Sequence, residues 1–102
     1  RVFHRAVLFA RADDLRHATT LANSTTYGLS AGICTQDLDK AEWFVSHCES
    51  GVVTVNSATA GMEVQVPIHG RKGSGLGMPE QGTLALDFCS EVKTVYVRHS
   101  PP

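Results

Sequence analysis

Ser30-Ala-Gly-Ile-Cys-Thr-Gln-Asp-Leu-Asp-Lys-Ala-Glu-Trp-Phe-Val-Ser-His-Cys-Glu-Ser-Gly-Val-Val-Thr-Val-Asn56 reads as strand, helix, strand. Ser30 to Cys34 is short and apolar, with Gly32 where a neighbour packs close. Thr35 or Asp37 can cap the helix, in which Leu38, Ala41, Val45 and Cys48 trace one apolar stripe. Gly51 stands where a C′ residue belongs, and Val52 to Asn56 supplies a β-branched strand.

Working outward, Ala6-Val-Leu-Phe-Ala-Arg11 is a nearly continuous apolar run, the pattern of a strand covered on both faces. Asp13 and Asp14 can cap a helix whose Leu15, Ala18 and Ala22 share a face, and residues 23–28 form a turn. The order is β-α-β-α-β with no hairpin signal, so the fold class is α/β with parallel strands joined by right-handed crossovers. Two crossovers progressing in one direction leave one sheet face bare. Val52, Val53 and Val55 are nevertheless apolar on both sides, which implies that further structure covers them.

Beyond Asn56 the chain reads as irregular to about residue 78, and its densest signal is Pro67-Ile-His-Gly-Arg-Lys-Gly-Ser-Gly-Leu-Gly-Met-Pro-Glu-Gln-Gly82. Five glycines there mark a loop packed tightly against something. Pro79 suits the first position of a helix, with Glu80 at its positive end and Leu84, Ala85, Phe88 and Cys89 on its buried side. Val92-Lys-Thr-Val-Tyr-Val97 is a closing strand apolar on both sides, a pattern that completes a sheet, often a partner's.

Composition narrows the function classes. The 102 residues suit one modest domain, 42% of them are apolar and the formal net charge is −1. That balance offers no basic stripe for nucleic acid, and no apolar run approaches the ~20 residues of a membrane span. Cys34, Cys48 and Cys89 are odd in number and widely spaced, which reads as reduced, buried thiols of a cytosolic or organellar protein, with a cytoplasmic one the expectation. Arg1 is not a methionine, and the apolar segment starts almost at once. The expectation is a piece of something larger.

Candidate chemistry is thin. Gly73-Ser-Gly75-Leu-Gly77 lacks the glycine at Met78 and the preceding strand that a dinucleotide fingerprint needs, and it lacks a Gly-Lys-Ser/Thr phosphate loop. Ser74 is no nucleophile elbow, because Lys72 occupies the first glycine position. The three cysteines fit packing better than nucleophilic catalysis, and the five histidines show no metal-ligand spacing. The acidic residues at helix starts are explained by capping, which leaves Glu63 and His69 without an obvious structural job.

The glycine stretch and the closing Glu91-Val-Lys-Thr-Val95 resemble the C-terminal end of the NAD(P)-dependent aldehyde dehydrogenases, which commonly reads Pro-Phe-Gly-Gly-x-Lys-x-Ser-Gly-x-Gly and then Val-Lys-Thr-Val. Leu21-Ala-Asn23, Tyr27-Gly-Leu-Ser-Ala-Gly-Ile33, Gly51-Val-Val and Val55-Asn56 are similar to that family in order and spacing. The resemblance implies a catalytic-domain segment over residues 1–90, with its Gly-rich loop at 67–82, and an oligomerisation strand and tail over 91–102. It implies oxidation of an aldehyde, by its faintest cue a keto-acid semialdehyde, through a cysteine thiohemiacetal and thioester. NAD or NADP would serve the full-length parent, which would be a dimer or tetramer.

The family's nucleophile, base and cofactor domain lie upstream of the matching segment. The resemblance therefore implies no catalytic residue here, no metal, and no cofactor bound by the isolated chain. An alternative expectation is a catalytically inactive interaction module that pairs with full-length subunits. Phe3 matches a residue bordering the nicotinamide, and Ile68 matches a wall of the aldehyde pocket, with Gly61 and Met62 on the neighbouring loop. Arg1 replaces a ribose-binding glutamate, and His4-Arg5 replace Gly-Pro. His69 replaces a glycine, which raises the question of a positive φ that histidine resists.

Overall fold

The computed structural model describes residues 6–99. Its elements in order are α1 (Leu15–Asn23), β1 (Tyr27–Gly28), β2 (Ser30–Ile33), α2 (Leu38–His47), β3 (Val52–Val55), β4 (Arg71–Lys72) and α3 (Leu84–Phe88). Each long helix starts at an aspartate. The Asp14 carboxylate accepts from His17 N at 2.7 Å and that of Asp37 from Lys40 N at 3.1 Å, satisfying amides that have no partner inside the helix. The bond from Lys40 N, followed by the Lys40 ammonium, lowers the Asp37 pKa from its ordinary value of 3.8.

The strand-helix-strand reading of residues 30–56 describes the centre of the molecule. β2 and β3 pair in parallel, with Ser30 opposite Val52, Ala31 opposite Val53, Gly32 opposite Thr54 and Ile33 opposite Val55. Gly32 permits that approach, since a Cβ there would lie 2.7 Å from Thr54 Oγ1. Asn56 finishes the pair at φ +54°: its Oδ1 accepts from Thr35 N at 2.8 Å and its Nδ2 donates to Thr35 O at 2.7 Å. The side-chain amide thereby stands in for one more backbone partner at the strand ends. Ala41 and Cys48 of the expected α2 stripe are buried together with Phe44, which that stripe did not include, and Thr19 of α1 joins them, its Oγ1 donating to Leu15 O at 2.8 Å. Val45 and Leu38, assigned to the same stripe, are exposed, as is Ala22 of α1.

Residues 6–11 form no strand, contrary to the βαβαβ expectation. Val7, Leu8 and Phe9 are 79%, 93% and 91% exposed. A strand apolar on both faces is stable only when an edge pairs with it and layers cover it, and nothing in the described residues does either. The expected closing strand at 92–97 is likewise unpaired, with Val92 94% and Tyr96 93% exposed. The helix expected from Pro79 begins only at Leu84, because Ile68 and Glu80 exchange backbone hydrogen bonds of 2.8 and 3.0 Å and hold the chain extended there. Gly51 is not a C′ residue either. α2 closes at Cys48, and Gly51 instead lies against the His69 carbonyl, where any Cβ would collide.

Size measures the consequence of the unpaired ends. The radius of gyration is 20.2 Å, against roughly 13 Å for a compact chain of this length. The accessible surface is 9011 Å², against roughly 5,600 Å² for a compact 11.0 kDa monomer. No helix among the described residues is long and apolar enough to cross a membrane.

Candidate functional site

Residues 68–75 are the most heavily tied irregular segment of the chain. The sequence pattern missed how they are held. β4 pairs antiparallel with β1, placing Lys72 opposite Tyr27 and Arg71 opposite Gly28 across more than forty residues of chain. Gly73 N donates to Thr26 O at 3.0 Å, and Gly28 N donates to Ser74 Oγ at 3.1 Å. Within the loop, Gly70 and Gly75 face each other so closely that a Cβ on either would strike backbone. No local periodicity announces a two-residue strand closed over such a separation; the clustered glycines were its only sign.

Two cations on β4 reach the ends of both long helices. Lys72 Nζ donates to Asn23 O at 2.6 Å and Thr25 O at 3.2 Å, and stands 2.5 Å from Glu49 Oε2. Arg71 Nη1 donates to Cys48 O at 3.5 Å. Helix C-termini carry unpaired carbonyls and partial negative charge, so cations belong there. Asn23 completes the junction, donating through Nδ2 to His47 O at 2.9 Å and accepting Glu49 N at Oδ1 at 2.9 Å.

The expected site residues fall in two shallow depressions. Ile68 and His69 line one of about 190 Å³ with Ser74, Leu76 and Met78. Gly61 and Met62 line another of about 390 Å³ against Val52, Val53 and Thr54 of β3. Ile68 and the Gly61–Met62 pair line separate depressions. Phe3, Arg1, His4 and Arg5 lie outside the described residues. His69 does not occupy a positive φ; among non-glycine residues described, Asn56, Lys72 and Gln81 do. Replacement of glycine by histidine is therefore compatible with this backbone.

Two amides and the ammonium of the loop are already engaged within the protein. Gly73 N and Ser74 N are spent on Thr26 O and Arg71 O, and the Lys72 ammonium is held by two carbonyls and a carboxylate. Cys48 is buried at the C-terminal end of α2, the opposite end from the one that favours a nucleophilic thiolate. Cys34 and Cys89, expected to be buried, are exposed: Cys34 ends an unpaired strand edge and α3 is one short turn with no covering layer. Trp43 is half-buried and stacks on His47 with ring centroids 4.1 Å apart, while Arg16 lies 5.1 Å above its ring. Among the described residues no three His, Cys, Asp or Glu side chains converge on a metal position.

A parallel β-α-β unit with a glycine loop sewn to its helix ends defines an α/β segment. Residues 3–95 match the aldehyde dehydrogenase family. The chain is 34% identical over 97 residues to an alpha-ketoglutaric semialdehyde dehydrogenase of Bacillus subtilis, covering 95% of this chain and 20% of that protein. The crystal structure of HpcC from Thermus thermophilus superposes with a TM-score of 0.72 at 38% identity, over 87% of this chain and 18% of that one. A betaine aldehyde dehydrogenase of Staphylococcus aureus, solved with NAD+, superposes at 0.68 with 29% identity, over 74% of this chain and 14% of its own. The chain belongs to the aldehyde dehydrogenase family. It spans about a fifth of the length of the curated relatives it matches.

Proposed function

We propose that this chain is the segment of an NAD(P)-dependent aldehyde dehydrogenase that closes the catalytic domain and walls the aldehyde pocket. The full-length parent would oxidise an aldehyde to a carboxylate, with a keto-acid semialdehyde as the substrate class. The single observation that carries the reading is the family match over residues 3–95, at an identity that extends along nearly the whole chain. The semialdehyde assignment draws on the relative in Bacillus subtilis and on the likeness of the Asn56 to Gly61 and Gln65 to Pro67 stretches to family members that oxidise keto-acid semialdehydes.

In this reading Ile68, Gly61 and Met62 contact the aldehyde, Phe3 borders the nicotinamide, and the nucleophilic cysteine and its base come from the other four fifths of the parent. The spent amides of the glycine loop and the burial of Cys48 support an inert isolated chain. Residues 91–102 act as an oligomerisation strand and tail, a reading supported by the exposure of Val92, Val95, Tyr96 and Val97. The same exposure favours the second reading, an inactive module that pairs with full-length subunits.

Purified chain incubated with NAD+ or NADP+ and a keto-acid semialdehyde should give no reduced nucleotide. Turnover would contradict the assignment of the reacting groups to the rest of the parent. Coding sequence adjoining Arg1 that supplies a cysteine nucleophile would favour the enzyme segment, and a start codon immediately before Arg1 would favour the interaction module.

A further inference from the structure

We propose that Lys72 is a positioning residue, a buckle that holds the 68–75 loop against the C-terminal ends of α1 and α2 and so sets where Ile68 and His69 stand. The relevance to substrate rests on the reading of Ile68 as a pocket wall; the buckle itself rests on geometry.

An ammonium group has three N–H donors, and here three acceptors meet it: Asn23 O at 2.6 Å, Thr25 O at 3.2 Å and Glu49 Oε2 at 2.5 Å. These belong to the last residue of α1, to the turn after it, and to the connection that follows α2. One side chain therefore joins the loop to both helix ends. The lysine backbone is at φ +53°, a conformation that an L-residue seldom adopts and that the surrounding contacts must hold. The Lys72 side chain is about a quarter exposed, so its charge-assisted hydrogen bonds are only partly screened. Asn23 ties the two acceptor segments together through His47 O and Glu49 N, so the socket exists independently of the loop.

The other ties of the loop to α1, α2 and β1 carry less charge or are steric. The β1–β4 pairing is two residues long, and Gly73 N donating to Thr26 O and Ser74 Oγ accepting from Gly28 N are single neutral bonds. Arg71 reaches Cys48 O only at 3.5 Å, and Gly51, Gly70 and Gly75 allow close approach. Releasing Lys72 should let residues 68–75 lift while β2 and β3 remain paired. His69 reports the position of the loop, because its Cε1 lies 3.1 Å from where a Gly75 Cβ would stand.

Hydrogen-exchange mass spectrometry of the full 102-residue chain tests this, with Lys72→Met and Glu49→Gln as separate variants. Lys72→Met should speed amide exchange in peptides covering 26–28 and 69–75 by about tenfold, the order expected for losing a hydrogen bond to a charged group. Peptides covering 30–33 and 52–55 should be unchanged, and Glu49→Gln should speed the same loop peptides by a smaller factor. The slow exchange of the His69 Cε1 proton should also change in Lys72→Met, which a purely helix-capping role would leave alone.

Loop exchange unchanged in both variants would overturn the proposal, as would a uniform rise that includes 30–33 and 52–55. If Lys72→Met does not fold, Glu49→Gln decides by the same two criteria. An unbuckled loop in these experiments leaves the pocket assignment to be judged on its own, and failure of that assignment leaves the exchange pattern untouched.

Discussion

Taken together, residues 6–11 and 92–97 are at least as apolar as residues 30–33 and 52–55, yet only the latter two form a sheet with each other. The difference lies in what surrounds them. β2 and β3 are joined by a helix that brings Ala41, Phe44 and Cys48 into a small core, and Asn56 seals their ends. The outer segments have neither a pairing edge nor a covering layer. Apolar content proposes a strand; a neighbour makes one.

The sharpest way to break this contrast is to disturb the centre and compare it with the ends. Gly51→Ala drives a Cβ into the His69 carbonyl and should destabilise the fold by about 3 kcal/mol or more, read as a lower denaturation midpoint. Gly77→Ala, at φ +80° with nothing within 4 Å, should cost only about 1–2 kcal/mol for the left-handed backbone. Equal losses at the two positions would mean that the loop contact at Gly51 is loose in solution.

Phe44→Ala should cost about 3–5 kcal/mol, because that ring is buried in the α2 face. Phe9→Ala removes the same ring from a 91% exposed site and should leave the denaturation midpoint nearly unmoved. If Phe9 proves as costly as Phe44, residues 6–11 are docked in solution and the contrast fails. Asp14→Ala should cost about 1 kcal/mol, seen as reduced helicity by circular dichroism, because the His17 amide loses its acceptor.

The smallest effect is in acid. The Asp37 pKa is lowered in the fold by the Lys40 amide and ammonium, so its contribution is complete above 3.8 and is lost as pH falls through the lower folded value. Asp37→Asn should flatten that part of the acid limb by lowering stability slightly at neutral pH while leaving it unchanged below the folded pKa, as measured by denaturation from neutral pH down to about pH 2.

Where the chemistry is local, the primary structure was readable. Asp14 and Asp37 were visible as caps, the α2 stripe correctly named Ala41 and Cys48, and the parallel pairing followed from strand-helix-strand order. Besides the strands expected at 6–11 and 92–97 and the burial expected of Leu38, Val45 and Ala22, further readings failed for physical reasons. Gly51 was read as a helix stop when its need is a neighbour eighteen residues on; Pro79 looked like a helix start, but the Ile68–Glu80 bridge held the chain extended; and Cys34 and Cys89 were read as buried without asking what would cover them. The β1–β4 pairing and the Lys72 junction were invisible because they join segments more than forty residues apart. Of the site, Ile68, Gly61 and Met62 came from family likeness alone, since nothing in their chemistry marks them.

The central claim is that the unpaired apolar ends are pairing surfaces that belong against other structure. Sedimentation velocity of the purified chain over a concentration series through the micromolar range tests it most directly. Self-association that grows with concentration, and that falls when Val95 and Tyr96 are both replaced by aspartate, is the predicted result. A folded monomer of constant sedimentation coefficient across that range would contradict it, and would mean that residues 6–11 or 92–97 find their cover within a single chain.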